Sequence, residues 1–230
     1  MTRLGVVTGS VAEARCLPPS AAGCVLAVVC SGGDPGRAGD GARRLVDEGA
    51  QALLSFGLAG GLDPGLAPGA LVIAEAVVSP AGAVHETNGP WRDALAAALA
   101  SETPVIGRIA GSDRAVASVA AKRALRETSE ALAVDMESHR VAAVAAETQA
   151  PFAVLRVVAD PAGRTLPRAA LAGLGPDGEI NLGAVLGGLA LRPWEAPAMV
   201  ALALDAWRGL AALSRGVALT GPSLGRGTLG

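Results

Sequence analysis

The chain has 230 residues, 51% of them hydrophobic, with 19 Lys and Arg against 21 Asp and Glu, so a large core is easily filled and the formal net charge is only −2. Basic runs stop at pairs such as Arg43-Arg44, and 2% aromatic content with no Tyr offers no stacking platform, which together exclude a nucleic-acid surface. Cys16, Cys24 and Cys30 are odd in number without C-x-x-C spacing, and His85 and His139 lie far apart, so three reduced thiols are expected rather than a disulfide framework or a metal site.

Short runs rich in Val, Leu and Ile alternate with Ala-rich amphipathic stretches, the rhythm of a buried sheet between helices. The first strand is expected over Leu4 to Val7, a run too short for a secretory signal, and it leads through Thr8-Gly9-Ser10 to Glu13. Cys24 to Cys30 follows as a strand, Asp40 to Glu48 as a helix and Ala52 to Phe56 as the third strand. Gly57-Leu58-Ala59-Gly60-Gly61 then reads as a loop whose glycines permit a sharp turn or close approach to a ligand. Asp63-Pro64-Gly65 and Pro68-Gly69 are turn signals expected to join adjacent strands, the second being Ala70 to Val78. Helix Trp91 to Leu99, strand Val105 to Ala110, helix Asp113 to Arg126, strand Ala131 to Val134, helix Met136 to Thr148 and strand Phe152 to Val158 continue the alternation.

Two further helices are expected near the C-terminus, where the apolar stretches Ala184 to Leu191 and Ala196 to Leu204 stay below the roughly 18 residues that span a bilayer, so a soluble protein is expected. Periodicity fails from Ser214 onward. Residues 1–215 are therefore read as one α/β domain, a three-layer α/β/α arrangement around a central mixed, twisted sheet, and 216–230 as a flexible tail.

Four places carry chemistry. Asp135, Met136 and Glu137 sit where an apolar strand hands over to a helix, the end of an α/β sheet at which ligands bind; Asp135 as a helix cap and Glu137 as first-turn charge is the other reading. Arg156 lies inside a strand that otherwise reads as fully buried, so a carboxylate or an anionic ligand must meet it, unless it snorkels from a sheet edge. Asp160 ends that strand among apolar neighbours, which raises a carboxyl toward the range of a general acid; a turn aspartate before Pro161 is the alternative. Glu13 follows the first strand and is either a pocket residue or a first-turn helical glutamate. Neither G-x-G-x-x-G after a strand nor G-x-x-x-x-G-K-[ST] occurs.

In this order the segments resemble the superfamily of nucleoside phosphorylases and methylthioadenosine/S-adenosylhomocysteine nucleosidases over about Leu4 to Ala212. The matching pieces are Val6-Val7-Thr8-Gly9 with Glu13, Gly57-Leu58-Ala59-Gly60-Gly61-Leu62 with Pro68-Gly69, Val134-Asp135-Met136-Glu137, and Arg156-Val157-Val158-Ala159-Asp160. The resemblance implies a nucleoside phosphorylase-like fold and cleavage of the N-glycosidic bond of a purine nucleoside. Glu13, oriented by Arg156, would activate water; Asp160 would protonate the leaving base; Met136 and Glu137 would hold the sugar. Ala59, Gly60, Val116, Asp135 and Ala162 complete the implied binding set. No metal or organic cofactor is implied, and phosphate is a co-substrate only in the phosphorolytic alternative. Glu13 beside a phosphate site would repel a dianion, which favours water. Leu58 departs from the family, standing where nucleosidases usually place a serine.

A narrower resemblance, in Met136 to Ala142, Asp160-Pro161 with Leu166-Pro167, and Leu191-Arg192-Pro193, is to the hopanoid-associated branch, whose members are linked to removing adenine from adenosylhopane. It implies a nucleoside with a large apolar tail, a cytoplasmic location with room for contact at the inner face of the membrane, and a dimer or higher homo-oligomer. Other superfamily substrates, and a non-catalytic nucleoside-lipid carrier on the same scaffold, remain alternatives.

Overall fold

The computed structural model of the chain describes residues 2–20, 23–171 and 182–226. The elements run β1 (Thr2–Thr8), α1 (Val11–Ala14), β2 (Cys24–Cys30), α2 (Pro35–Asp47), β3 (Ala52–Gly61), β4 (Leu71–Val78), β5 (Val84–Glu86), α3 (Gly89–Ala98) and β6 (Val105–Gly111). They continue with α4 (Val119–Ser129), β7 (Ala133–Asp135), α5 (Ser138–Thr148), β8 (Phe152–Asp160), α6 (Arg168–Leu171), α7 (Leu182–Leu191) and α8 (Ala196–Thr220).

All eight strands join one mixed sheet. β1 lies between β2 and β3, parallel to both. β3 changes partners along its length: Ala52 to Ser55 lie beside β1, whereas Gly60 and Gly61 lie antiparallel to Val134 and Ala133 of β7. β8 runs parallel to β3 and antiparallel to β4, β4 pairs with β5 and β6, and β6 pairs with β7. The pairings from β3 through β8, β4, β6 and β7 thus return to β3, and the sheet curls on itself. Gly60 faces Asp160, and Gly111 faces Asp135, so the carboxyl ends of β3, β6, β7 and β8 converge.

The expected three layers are present. On one face, Ala38, Ala42 and Leu45 of α2 and Val141 and Ala145 of α5 pack with Val7 and Val154; on the other, Leu95 of α3 and Leu213 of α8 pack with Phe56 and Leu155.

Several boundaries differ from expectation for identifiable reasons. α2 starts at Pro35 rather than Asp40 because the Asp34 carboxylate accepts the Arg37 N–H at 2.8 Å and Pro35 occupies the first turn. α4 starts at Val119 rather than Asp113 because Ser118 caps it, its Oγ accepting the Ala121 N–H at 3.1 Å. Residues 112–118 stay outside the helix. Gly57 to Gly61 is strand rather than loop, with a register shift between Ala59 and Gly60. The turn at Asp63 to Gly69 joins β3 to β4, which are not neighbours, because β8 lies between them. Turn residues encode a local reversal and leave the pairing partner open. α1 and β5, each of three or four residues, are too short to carry a periodicity.

The expected tail is also corrected. α8 continues to Thr220 with Gly216 and Val217 buried, Leu224 is buried, and the Trp91 indole N–H donates to the Leu224 carbonyl at 2.8 Å. A Cβ on Gly216 would lie 3.4 Å from Leu99 Cδ2, so this glycine gives close helix packing where composition reads a breaker. Residues 227–230 of the expected tail lie outside the described residues. Finally, Pro193–Thr220 is 28 residues of helix containing an 18-residue stretch of mean hydropathy 1.3, long and apolar enough by length and composition to cross a membrane. Uninterrupted apolar runs missed it because Asp205 and Arg208 break the run without breaking the helix.

Candidate active site

A cavity of about 660 Å³ opens where the strand ends converge, walled by the Gly9 to Glu13 segment, the end of β3, residues 114–116, the β7–α5 link, Asp160 and the inner side of α8. Glu13 enters through a capping box: Ser10 Oγ accepts the Glu13 N–H at 3.3 Å, and Glu13 Oε2 accepts the Ser10 N–H at 2.7 Å. Oε2 also accepts the Gly9 N–H at 2.7 Å, and Oε1 accepts the Leu58 N–H at 2.9 Å. Both readings of Glu13 therefore hold, since the first-turn glutamate is also a buried cavity wall. Burial raises its carboxyl, opposed by the nearby Arg156 guanidinium and the three backbone N–H donors.

Arg156 is fully buried with its guanidinium behind the cavity wall. Its Nη2 donates to Ser55 Oγ at 2.7 Å, Glu137 Oε2 at 3.1 Å and Ser138 Oγ at 3.3 Å, and its Nη1 donates to the Leu58 carbonyl at 3.3 Å. Nε lies 2.8 Å from Asp135 Oδ2, close enough for an ion pair, yet its N–H is not aimed along that line and makes no hydrogen bond. The expectation that Arg156 orients Glu13 is thus corrected: its direct partners are Asp135 and Glu137, and Glu13 is held by backbone. A Cβ on Gly57 would stand 2.6 Å from the Glu13 carboxyl carbon and 2.8 Å from Arg156 Nη1, so only glycine lets β3 pass between the two groups.

Asp135 fastens the β7–α5 link, its Oδ1 accepting the Glu137 N–H at 3.1 Å and the Ser138 N–H at 2.8 Å, and its Oδ2 accepting the Ser138 hydroxyl. Met136 and Glu137 therefore lie in a link before α5, not within the helix as expected. Glu137 and Glu13 meet over Gly9, where a Cβ would lie 3.0 Å from Glu137 Oε1 and 3.2 Å from Glu13 Oε2. Three buried acids thus surround one guanidinium. Burial, with Asp135 and Glu13 adding to it, raises the Glu137 carboxyl to about 7 against the pull of Arg156.

Asp160 stands across the cavity, and its partner was not legible in the sequence: Lys122 of α4, fully buried, donates from Nζ to Asp160 Oδ2 at 2.5 Å and to the Pro161 and Arg164 carbonyls at 2.9 and 3.0 Å. Asp160 Oδ1 is buried without a partner. Burial raises this carboxyl, while Lys122 pulls the other way.

Of the residues singled out in the sequence, Glu13, Ala59, Gly60, Val116, Asp135, Met136, Glu137 and Asp160 line the one cavity; Arg156 lies behind it, and Ala162 packs beside Gly61 outside it. Ser31, Ser55 and Ser138, which complete the polar network, gave no sequence signal because isolated serines are common everywhere. Leu58, expected to weaken the network around Glu13, supplies that carboxylate with a backbone N–H. Among the described residues, no group of three or more His, Cys, Asp or Glu is arranged to hold a metal ion.

The acid cluster makes stability depend on pH. Glu137 binds its proton more tightly folded, at about 7, than unfolded, near 4.5, so its contribution is full below the unfolded value and is lost as pH rises through 7. Chemical denaturation should show stability falling between pH 5 and pH 8, by up to about 3 kcal/mol from this group at roughly 1.4 kcal/mol per pH unit. Glu137→Gln should flatten that slope. An unchanged slope in the variant would remove the assignment.

The model of the phosphorylase superfamily matches residues 3–172. No curated protein matches the sequence. Among solved structures, 5′-methylthioadenosine/S-adenosylhomocysteine nucleosidase from Neisseria meningitidis in complex with methylthio-immucillin-A is 19% identical, with 97% of this chain and 100% of that one covered at a TM-score of 0.72. The Helicobacter pylori enzyme of the same name, with butyl-thio-DADMe-Immucillin-A, is 18% identical over 95% and 98% of the two chains at 0.67. Futalosine hydrolase of Helicobacter pylori is 18% identical over 94% and 97% at 0.66. At these identities the likeness is one of fold.

Proposed function

Because the chain belongs to the phosphorylase superfamily, we propose that it cleaves the N-glycosidic bond of a purine nucleoside by hydrolysis, releasing adenine. The observation that carries this reading is the convergence of Glu13 and Glu137 over Gly9 on the wall of a cavity that Asp160, its buried Oδ1 without a partner, also lines. Breaking the bond to C1′ leaves its electron pair on the base and positive charge on the sugar. Buried carboxylates in excess of their counter-cation favour that charge more strongly than they favour a neutral substrate.

Each residue then has a task. Glu137 accepts hydrogen bonds from the sugar hydroxyls, and Met136 packs against the ring. Asp160, protonated on Oδ1, donates to the imidazole nitrogen of the departing purine. Water bonds to C1′ as Glu13 takes its proton, and both carboxyl groups re-equilibrate with solvent after the products leave.

The choice of water over phosphate rests on charge. A phosphate dianion at C1′ would lie against Glu13 and Glu137, and the two Nη groups of Arg156, behind the cavity wall, already donate to Glu137, Ser55, Ser138 and Leu58. Adenine release from adenosine or methylthioadenosine should proceed in phosphate-free buffer, with no saturable phosphate dependence when adenine is measured by chromatography. Turnover that requires phosphate would replace hydrolysis with phosphorolysis.

For the substrate we read a purine nucleoside with a large apolar substituent, of the adenosylhopane class. Val11, Val116, Leu166, Ala206 and Leu210 give the cavity an apolar lining of the kind such a group needs.

A further inference from the structure

Leu186 and Leu191 of α7, Trp194 in the connecting turn, and Val200, Leu204 and Trp207 of α8 are between 51% and 75% exposed. Two of the three tryptophans of the chain belong to this set, while the third, Trp91, is buried. Isolated exposed leucines are ordinary, but six large apolar side chains along two consecutive helices and the turn between them are not.

We propose that the outer face of α7 and the first half of α8 docks on an anionic lipid bilayer. Charge favours this occupant. Arg192 and Arg208 stand beside the ridge and Arg168 of the adjoining α6 is exposed, against Glu195 and Asp205; Arg215 is paired with Glu102 and Arg226 is buried, so neither counts toward this face. Both acids are engaged internally: Asp205 is buried against Arg164 and Arg208, and Glu195 accepts the Ala169 N–H at 3.1 Å. Arginines beside a ridge of Trp and Leu are what an interfacial helix presents to anionic headgroups. Tryptophan is at home at that boundary, where its ring is buried and its N–H stays wet.

The helix lies on the bilayer rather than crossing it. Gly209, Ala212, Leu213, Gly216 and Val217 of the same α8 are buried in the domain, so its second half cannot leave the core. After Trp207 the outward positions carry Arg208, Ser214 and Arg215, and Leu219 near the helix end is the one large apolar side chain exposed there. Side chains exposed by half to three quarters stand proud of the surface; a fluid interface accepts such protrusions, whereas a second rigid copy needs matching grooves. The ridge also adjoins the cavity, because Ala206 and Leu210, neighbours of Trp207 on the inner side of α8, line it. The docking rests on the surface alone. Only its use, delivering an apolar nucleoside from the bilayer to the cavity, rests on the proposed function.

The test is flotation of the full chain with vesicles of equal parts phosphatidylglycerol and phosphatidylcholine, compared with pure phosphatidylcholine. The chain should float with the anionic vesicles, and Trp fluorescence should shift to the blue. Leu204→Asp and, separately, Trp194→Ser should weaken flotation by about tenfold or more, with unchanged circular dichroism and unchanged adenine release from adenosine. No flotation of the unaltered chain, or equal flotation of both variants, overturns the proposal. So does light scattering in which the substitutions convert a vesicle-free dimer to a monomer, because a second copy would then be the occupant. A chain that floats yet releases no adenine would defeat the hydrolase reading and leave the docking intact.

Discussion

Glu13→Gln is expected to lower kcat by about a thousandfold or more while the chain still folds and binds a purine nucleoside. The glutamate accepts three backbone N–H groups, from Gly9, Ser10 and Leu58, and still faces the cavity. A glutamine keeps one oxygen for the Gly9 and Ser10 donors, which sets its amide NH2 against the Leu58 N–H. That opposition should cost about 1–3 kcal/mol of stability and leave the fold in place. The chemical loss is separate: a neutral amide cannot take a proton from water, and it removes one of the charges facing the sugar. Single-turnover adenine release measured beside equilibrium binding of adenosine distinguishes the two. Near-normal turnover would mean that another group activates the water.

The second large effect concerns Asp160 and Lys122 together. Asp160→Asn should cost about two to four orders of magnitude in kcat, because the amide cannot supply a proton to the leaving purine. It should also destabilise the chain by about 3–5 kcal/mol, since Lys122, fully buried, loses its carboxylate partner. Adding Lys122→Met removes the stranded charge, so the double variant should regain stability without regaining turnover. Lys122→Met alone should raise the Asp160 carboxyl further, moving the alkaline limb of the pH–rate profile to higher pH. If the double variant recovers both stability and kcat, Asp160 is a structural partner of Lys122 and no acid acts from that wall.

These expectations use parts of the molecule that differ in how plainly the sequence displays them. Arg156 in an otherwise apolar strand announces a buried counter-charge, yet nothing local says which acid supplies it. Glu13 is the acid the resemblance favours; the structure gives Asp135 and Glu137, because β7 pairs with the far end of β3 and brings residues about twenty positions before Arg156 against its guanidinium. Lys122 shows the converse. Within Ala120-Ala121-Lys122-Arg123 it reads as a solvent-facing helical lysine, and it is buried only because the Asp160 to Arg164 turn folds over α4 and offers three oxygens.

The sequence by itself determined the alternation of strands and helices and the placement of acids just beyond strand ends, because side-chain periodicity and capping depend on neighbours within a few residues. Strand-end placement pointed to Glu13, Asp135, Met136, Glu137 and Asp160, because the carboxyl ends of paired strands gather at one edge of a sheet, and the resemblance added Ala59, Gly60 and Val116; in the structure all eight line the same cavity. Tertiary structure alone decided that the sheet closes from β7 back onto β3, that Gly216 to Leu224 seals the core, and which charges pair. Those outcomes depend on contacts between segments far apart in the chain. Desolvation fixes a charge pair only once the fold has set the distance between its members.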